Sequence, residues 1–142
     1  MSGAAGGGEE LRFAGYAAIF GRVDKGGDII APGAFGASLD RRLAGDLPLL
    51  WQHDPDKPIG VIERVAEDAR GLRVIGRLDA RSAIARKAAA LLRTGGLDGL
   101  SFGYRVVAAQ GEQPRRLDAL DLVEVSLVTH PMQPLARVHA VG

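Results

Sequence analysis

The chain contains no cysteine, and this absence removes several kinds of chemistry at once. Without a thiol there is no disulfide framework, no thiolate zinc site and no cysteine nucleophile. The chain can therefore work in a reducing compartment. The three histidines, His53, His130 and His139, have no H-x-x-x-H or similar spacing. We therefore expect no bound metal.

Neither sign of charge is in large excess, because 18 basic and 17 acidic residues leave a net charge of +1. This balance gives no electrostatic reason to expect nucleic acid or an anionic membrane surface as a partner. Residues Met1 to Gly8 are rich in glycine and alanine, with neither a basic start nor an apolar run. They match neither a signal peptide nor a membrane span.

The chain of 142 residues is long enough for one domain with a hydrophobic core and too short for two comfortable ones. Hydrophobic residues make up 46% and charged residues 25%, which is typical of a soluble globular protein. We expect a disordered N-terminal tail over residues 1–10 and a single domain over residues 11–142.

The hydrophobic pattern predicts several strands and two helices. One helix follows the N-cap residue Ser82 and extends from Ala83 to Arg93. The other begins at Pro32, ends near Gly45 and carries an apolar residue at every fourth position. We predict strands over residues 11–20, 28–30, 47–51, 59–66, 71–78, 100–107, 117–128 and 136–140, with a loop over 54–58. This pattern favours an α+β domain built on a small, closed or nearly closed antiparallel β-barrel with about two flanking helices.

Three polar side chains lie within segments that are otherwise apolar enough to be buried. They are His53 after Leu49-Leu50-Trp51, Ser101 within Gly99-Leu-Ser-Phe-Gly-Tyr104, and Glu124 within Leu122-Val-Glu-Val-Ser-Leu-Val-Thr129. A buried polar group without a partner costs a few kcal/mol, so these groups are best placed where they satisfy one another. A base, a nucleophile and an orienting acid together activate a hydroxyl near neutral pH. The sequence therefore predicts a serine hydrolase with His53, Ser101 and Glu124 as its catalytic residues.

Each of these residues also has an ordinary structural explanation. A single histidine is more often structural than catalytic, and a strand serine usually bonds a neighbouring carbonyl. Glu124 has a rival role as the partner of an arginine, with Arg105 and Arg64 as candidates. His130 is an alternative third member of the site, and His139 is expected at the surface.

The chain order of these residues differs from that of the familiar serine hydrolases. Histidine comes first, serine second and the acid third, an order found in none of the three well-known arrangements. Ser101 lies in Gly-Leu-Ser-Phe-Gly and not in a G-x-S-x-G motif. Order and local context therefore exclude the common serine hydrolase folds.

With these segments, the chain resembles the caudoviral prohead serine proteases, the capsid-maturation proteases of tailed phages. The resemblance extends over nearly everything from Phe13 onward and depends on several motifs in the right order with the right gaps. These motifs are Phe13-Ala-Gly-Tyr-Ala-Ala-Ile-Phe20, Ala31-Pro-Gly-Ala-Phe35, Leu50-Trp-Gln-His-Asp54 with Pro58-Ile-Gly60 behind it, Gly99-Leu-Ser-Phe-Gly-Tyr104, and Leu122-Val-Glu-Val-Ser-Leu-Val-Thr-His-Pro131. The family is in turn similar to the herpesvirus assemblin proteases, whose fold is a small barrel flanked by helices.

The resemblance implies a role for each candidate residue. His53 is then the general base, Ser101 the nucleophile, and Glu124, which falls where assemblins carry a second histidine, the orienting acid. It implies a cofactor-free protease that cuts scaffold protein or the N-terminal scaffolding segment of the major capsid protein. That cleavage takes place inside the assembling prohead, in the bacterial cytoplasm, and self-association is expected because assemblins gain activity on dimerising.

The sequence also allows a second function. An inactive protease-like barrel that acts as a scaffolding or capsid-binding module is the alternative function, and an esterase is disfavoured because no apolar acyl pocket is legible. The segment Thr129-His130-Pro131-Met132 lacks the arginine pair of the assemblins, so the resemblance names no oxyanion donor. Since a histidine acts as a base only when it is unprotonated, we expect activity to increase between about pH 6 and 8.

Overall fold

A computed structural model describes residues 10–142, and the predicted N-terminal tail lies outside these residues except for Glu10. Within residues 10–142, eight strands, two α-helices and one short 3-10 helix (Ala44–Asp46) follow one another. The strands and α-helices are β1 (Arg12–Ile19), β2 (Asp28–Ile30), α1 (Gly36–Asp40), β3 (Pro48–Trp51), β4 (Asp54–Glu67), β5 (Gly71–Leu78), α2 (Ala83–Thr94), β6 (Gly99–Gln110), β7 (Arg115–Val128) and β8 (Val138–Val141). Neither helix has the length and hydropathy needed to cross a membrane.

The eight strands form one mixed sheet in which β7 has the most partners. Strand β6 pairs antiparallel with β7 along one edge, whereas β2 and β3 pair parallel with opposite ends of its other edge. From β3 the sheet continues through β4, β5, β1 and β8, and these pairs are all antiparallel. The predicted antiparallel sheet is therefore wrong for the two parallel pairs. Each parallel pair joins segments that are far apart in the chain, which a local pattern does not reveal.

The predicted barrel is not closed by a continuous ladder. Strand β8 pairs with β1 over a short stretch, and the contact towards β6 is an isolated bridge between Gly99 and Arg137. A second isolated bridge joins Phe20 with Ile30. The structure thus has mostly sheet with two helices, and single bridges stand where a closed barrel would have a full ladder.

The hydrophobic core consists of side chains from one face of most strands and from one face of α2. Phe13, Leu49, Leu72, Leu100 and Leu122 represent β1, β3, β5, β6 and β7 among the buried residues. Burying a side chain of this kind contributes about 1.5 to 3 kcal/mol. The strand ends that carry the candidate residues are therefore fixed by the core on which they pack.

The helix α2 confirms the predicted helix at its beginning and within one residue at its end. The hydroxyl of Ser82 accepts a hydrogen bond from the Ala85 N–H at 3.2 Å, and this satisfies one free amide of the first turn. Gly95, with φ of 76°, ends the helix in a left-handed conformation.

The first predicted helix is mostly wrong, because α1 has only five residues. Its N-terminal part does not form because Gly33 has a φ of 89°, which a right-handed helix cannot contain. The backbone N–H groups of Gly33 and Phe35 donate to the Glu67 carboxylate, each at 2.8 Å. Its C-terminal part ends early, and Leu43, the last residue of the apolar stripe, is 76% exposed. The predicted loop over residues 54–58 is also wrong, because β4 begins there with an irregular register against β3.

Candidate active site

Strands β6 and β7 bring two of the predicted site residues onto one face of the sheet. In their antiparallel register Ser101 lies opposite Ser126, and Gly103 lies opposite Glu124. Residues that lie opposite each other, or two apart on one strand, point to the same face. Ser101, Ser126 and Glu124 therefore project from a single face.

His53 lies in a tight turn directly after β3, whose last residue Trp51 is opposite Leu127. Gln52 and His53 have φ values of 52° and 62°, a left-handed conformation that costs a non-glycine residue about 1 to 3 kcal/mol. The Gln52 N–H donates to the Leu127 carbonyl at 2.9 Å. The Gln52 side chain donates to Thr129 Oγ1 at 2.6 Å and accepts from the Thr129 N–H at 3.0 Å. These contacts hold the turn against the end of β7.

The imidazole of His53 contacts the carboxylate of Glu124. His53 Nδ1 lies 2.5 Å from Glu124 Oε2, and Glu124 is only 8% exposed. An ionised carboxylate only accepts hydrogen bonds, so Nδ1 carries the proton and Nε2 is left with a free lone pair. This hydrogen bond raises the pKa of His53 above its ordinary value, the partial burial of the ring opposes the rise, and the charge of Glu124 adds to it. The pair thus orients an imidazole whose Nε2 is free to accept a proton.

Ser126, which the sequence pattern does not single out, completes the hydrogen bonds around this pair. It is fully buried, its hydroxyl donates to Glu124 Oε1 at 2.7 Å, and its Oγ accepts from the backbone N–H of His53 at 3.1 Å. The available signal was its position two residues after Glu124, on the same face of a strand in which every polar group needs a partner.

Ser101 and His53 line the same cavity, which has a volume of about 110 Å³. Ser101 is 7% exposed, and among residues 10–142 no hydrogen bond joins its hydroxyl to His53, whose Nδ1 contacts Glu124. The structure therefore brings the serine and the histidine to one cavity without joining them by a hydrogen bond.

The rival partners of Glu124 lie elsewhere. Arg105 Nη1 is 3.8 Å from the carboxylate of Asp121, and within residues 10–142 Glu124 forms no ion pair with Arg64. His130 is exposed in the segment that follows β7. Glu124 directs its two oxygens at His53 and Ser126 instead.

Gly103 allows the Glu124 side chain to lie where it does. A Cβ atom at this position would be 2.6 Å from Glu124 Oε2 and 2.9 Å from its Cγ, closer than real Cβ contacts permit. The carboxylate therefore occupies the space that any side chain at position 103 would need. Gly103 is the second glycine of the Gly99–Tyr104 segment, and the Glu124 side chain opposite it leaves room only for glycine.

Solved protease structures share this fold. A Kaposi's sarcoma-associated herpesvirus (KSHV) protease in complex with a hexapeptide phosphonate inhibitor superposes with a TM-score of 0.66 at 15% identity, covering 94% of this chain and 65% of that one. The bacteriophage T4 capsid assembly protease gives 0.66 at 15% identity, with coverage of 84% and 82%. The KSHV protease in complex with a dimer disruptor gives 0.57 at 16% identity, with coverage of 93% and 76%. The fold is therefore herpesvirus-protease-like, as the sequence analysis predicts.

Sequence comparisons find similarity to phage proteins. The chain is 31% identical over 142 residues to the prohead protease of Enterobacteria phage HK97, a match that covers 95% of this chain and 62% of the relative. The chain thus spans about three fifths of the length of that curated relative. Residues 3–142 match the sequence model of the family described as Caudovirus prohead serine protease. This match covers nearly the whole chain and confirms the resemblance seen in its motifs, so the protein belongs to the caudovirus prohead serine protease family.

Proposed function

We propose that this chain is a serine endopeptidase of capsid maturation. Its substrate is scaffold protein or the N-terminal scaffolding segment of the major capsid protein, cut inside the assembling prohead of a phage or phage-like particle in the bacterial cytoplasm. The observation that carries this proposal is the His53–Glu124 contact beside a cavity that Ser101 also lines. Family membership and the identity to the HK97 prohead protease support an active enzyme over an inactive scaffolding module.

The proposed reaction is acyl transfer to Ser101. Its Oγ attacks the carbonyl carbon of the scissile peptide while His53 Nε2 takes the hydroxyl proton. His53 then gives this proton to the leaving amine as the C–N bond breaks, and water releases the acyl group by the reverse sequence. Glu124 keeps Nδ1 protonated and offsets the positive charge that His53 acquires. The cavity lining also includes Arg22 and Gln133, whose side chains carry N–H donors of the kind that stabilises an oxyanion.

Proton transfer requires the Ser101 Oγ and His53 Nε2 atoms to lie about 2.6 to 3.2 Å apart, and these groups are not hydrogen-bonded in the isolated chain. We propose that peptide binding together with self-association brings them into contact. The complex of the similar KSHV protease with a dimer disruptor supports self-association as part of this proposal.

A fluorophosphonate probe tests the proposed activity. We expect the probe to label Ser101, at a rate that increases with protein concentration because self-association completes the site. The Ser101→Ala variant removes the attacked oxygen and the His53→Ala variant removes the base, so both should lose labelling. Mass spectrometry of the labelled peptide, over a series of protein concentrations, makes the measurement.

The matched control for this experiment is Ser38→Ala. Ser38 is also fully buried, but its hydroxyl bonds Asp121 and the Leu122 N–H outside the cavity. This variant should keep full labelling. A wild-type chain that stays unlabelled at every concentration, and also leaves co-expressed capsid protein uncut, would reject the enzyme and favour the scaffolding module.

The Gly103→Ala variant should lose activity without a change at any of the three proposed catalytic residues. The new methyl group meets the Glu124 carboxylate, so the acid has to move and the imidazole loses its support. A displacement of about 1 Å lowers the rate about 100-fold, which is the loss of labelling rate that we expect. Gly36→Ala is the control, because a Cβ atom there meets nothing within 4 Å. An unchanged rate in Gly103→Ala would show that the position of Glu124 does not matter.

A further inference from the structure

We propose that Ser126 is a positioning residue, which fixes the orientation of Glu124 and of His53 through one buried hydroxyl. This inference rests on the proposed function, because it assigns a role within the proposed site. It goes beyond that function in naming a residue that does not itself touch the substrate.

The hydroxyl of Ser126 acts as a donor in one hydrogen bond and as an acceptor in the other. A serine hydroxyl has one proton to donate and lone pairs with which to accept. The proton goes to Glu124 Oε1 at 2.7 Å, and a lone pair accepts the His53 N–H at 3.1 Å. Since Glu124 Oε2 contacts His53 Nδ1, these bonds form a closed ring that holds His53 at its backbone and at its imidazole.

This ring is consistent with two further features of the site. One is the left-handed turn at Gln52 and His53, which presents the His53 N–H to the Ser126 hydroxyl instead of to a strand neighbour. The other is the choice of carboxylate oxygen, because Ser126 occupies Oε1 and leaves Oε2 for the imidazole. Without the hydroxyl, the carboxylate is free to rotate and the His53 N–H loses its partner. The proton on Nδ1 is then no longer directed at one fixed atom.

The chain supplies a closely matched comparison in Ser38. Its hydroxyl also lies at 0% exposure, contacts a carboxylate oxygen, that of Asp121, at 3.2 Å, and accepts a backbone N–H, that of Leu122, at 2.9 Å. Both serines are therefore buried, and both connect a carboxylate with a backbone amide of strand β7 or of the turn beside it. Only Ser126 contacts residues that line the cavity or support it.

The test compares Ser126→Ala with Ser38→Ala in the full chain. We expect both variants to fold and to lose similar amounts of stability, measured by thermal unfolding. Ser126→Ala should also lower the maximum rate of fluorophosphonate labelling about 10- to 100-fold, with the probe concentration for half-maximal rate unchanged. Ser38→Ala should leave that rate unchanged. Equal rates in the two variants, after correction for the folded fraction, would overturn the positioning role.

A second measurement separates this inference from the proposed function. The proton NMR signal of His53 Nδ1–H reports the contact with Glu124 whether or not the chain is active. It should persist in Ser101→Ala and Ser38→Ala, and it should shift or disappear in Ser126→Ala. If the signal changes in Ser126→Ala while the wild-type chain is inactive, the positioning role is retained and the enzyme is rejected. If the signal does not change in Ser126→Ala while the wild-type chain is active, only the positioning role is rejected.

Two further substitutions cover the case in which Ser126→Ala does not fold. Ser126→Thr keeps the hydroxyl on a residue that suits a strand and should restore a large part of the rate and the NMR signal. Ser126→Cys keeps the shape of the side chain but weakens both hydrogen bonds. Its labelling rate and NMR signal should therefore match those expected for Ser126→Ala. A cysteine variant with the wild-type rate and signal would overturn the inference.

Discussion

Replacing Ser101 with alanine is expected to abolish cleavage of co-expressed capsid protein while the fold stays intact. Removal of a serine nucleophile lowers kcat by about 10⁶-fold in a well-studied protease, and little cleavage remains after such a loss. The fold should survive because alanine keeps the Cβ atom of Ser101 and removes only the hydroxyl at the cavity that Ser101 lines. Gel electrophoresis of the capsid protein, together with the thermal unfolding of the variant, makes the measurement.

The control for this experiment is Ser82→Ala. Ser82 caps helix α2, and its loss should lower the stability by about 1 kcal/mol without reaching the cavity. This variant should therefore still cut the capsid protein. Cleavage that continues in Ser101→Ala would contradict the assignment of Ser101 as nucleophile.

The second large effect is expected for Glu124→Gln, in both rate and pH dependence. The corresponding change in a serine protease triad lowers kcat by about 10⁴-fold, because the neutral amide no longer holds the imidazole in one tautomer. A base works only when it is unprotonated, so activity appears as the pH rises through the pKa of His53. Glu124 raises that pKa, hence the acid limb of the wild-type profile should lie above the ordinary value of about 6.5. In Glu124→Gln the limb should move to lower pH.

The measurement is the pH profile of kcat/KM, or of the labelling rate, between about pH 5 and 9, a range that brackets an imidazole. Asp121→Asn is the control, because this carboxylate also lies on β7 but contacts Arg41 and Ser38 instead of His53. Its acid limb should coincide with that of the wild type. A limb that stays in place in Glu124→Gln would show that the pKa of His53 does not depend on this acid.

Local patterns predicted most of the secondary structure, because the interactions that determine it lie close together in the chain. Helix α2 follows from the Ser82 cap and Gly95, and the β4–β5 hairpin follows from two strand patterns around a short turn. Helix α1 failed for the opposite reason. The segment before α1 turns at Gly33, and the amides of Gly33 and Phe35 bind Glu67, which comes more than thirty positions later and leaves no mark on the local pattern. The parallel neighbours of β7 are non-local in the same way.

In the candidate site, too, local patterns predicted some residues and missed those that depend on distant contacts. Buried polar groups in apolar segments directed attention to His53, Ser101 and Glu124, and the structure places His53 and Ser101 on one cavity with Glu124 behind the imidazole. The left-handed turn at Gln52 was not predictable, because neither of its residues is the glycine or asparagine that marks such turns. Ser126 was missed because a strand serine is common. Strand alternation places it on the same face as Glu124, but its contact with His53 depends on the register of β3 against β7.

The position of β7 between β3 and β6 also has a consequence during synthesis of the protein. The histidine and the serine precede the carboxylate in the chain, and both flanking strands need β7 as their neighbour. A nascent polypeptide that still lacks this strand holds two of the three groups on segments with no common support. The three groups of the candidate site therefore cannot come together until β7, the last strand that carries one of them, has left the ribosome.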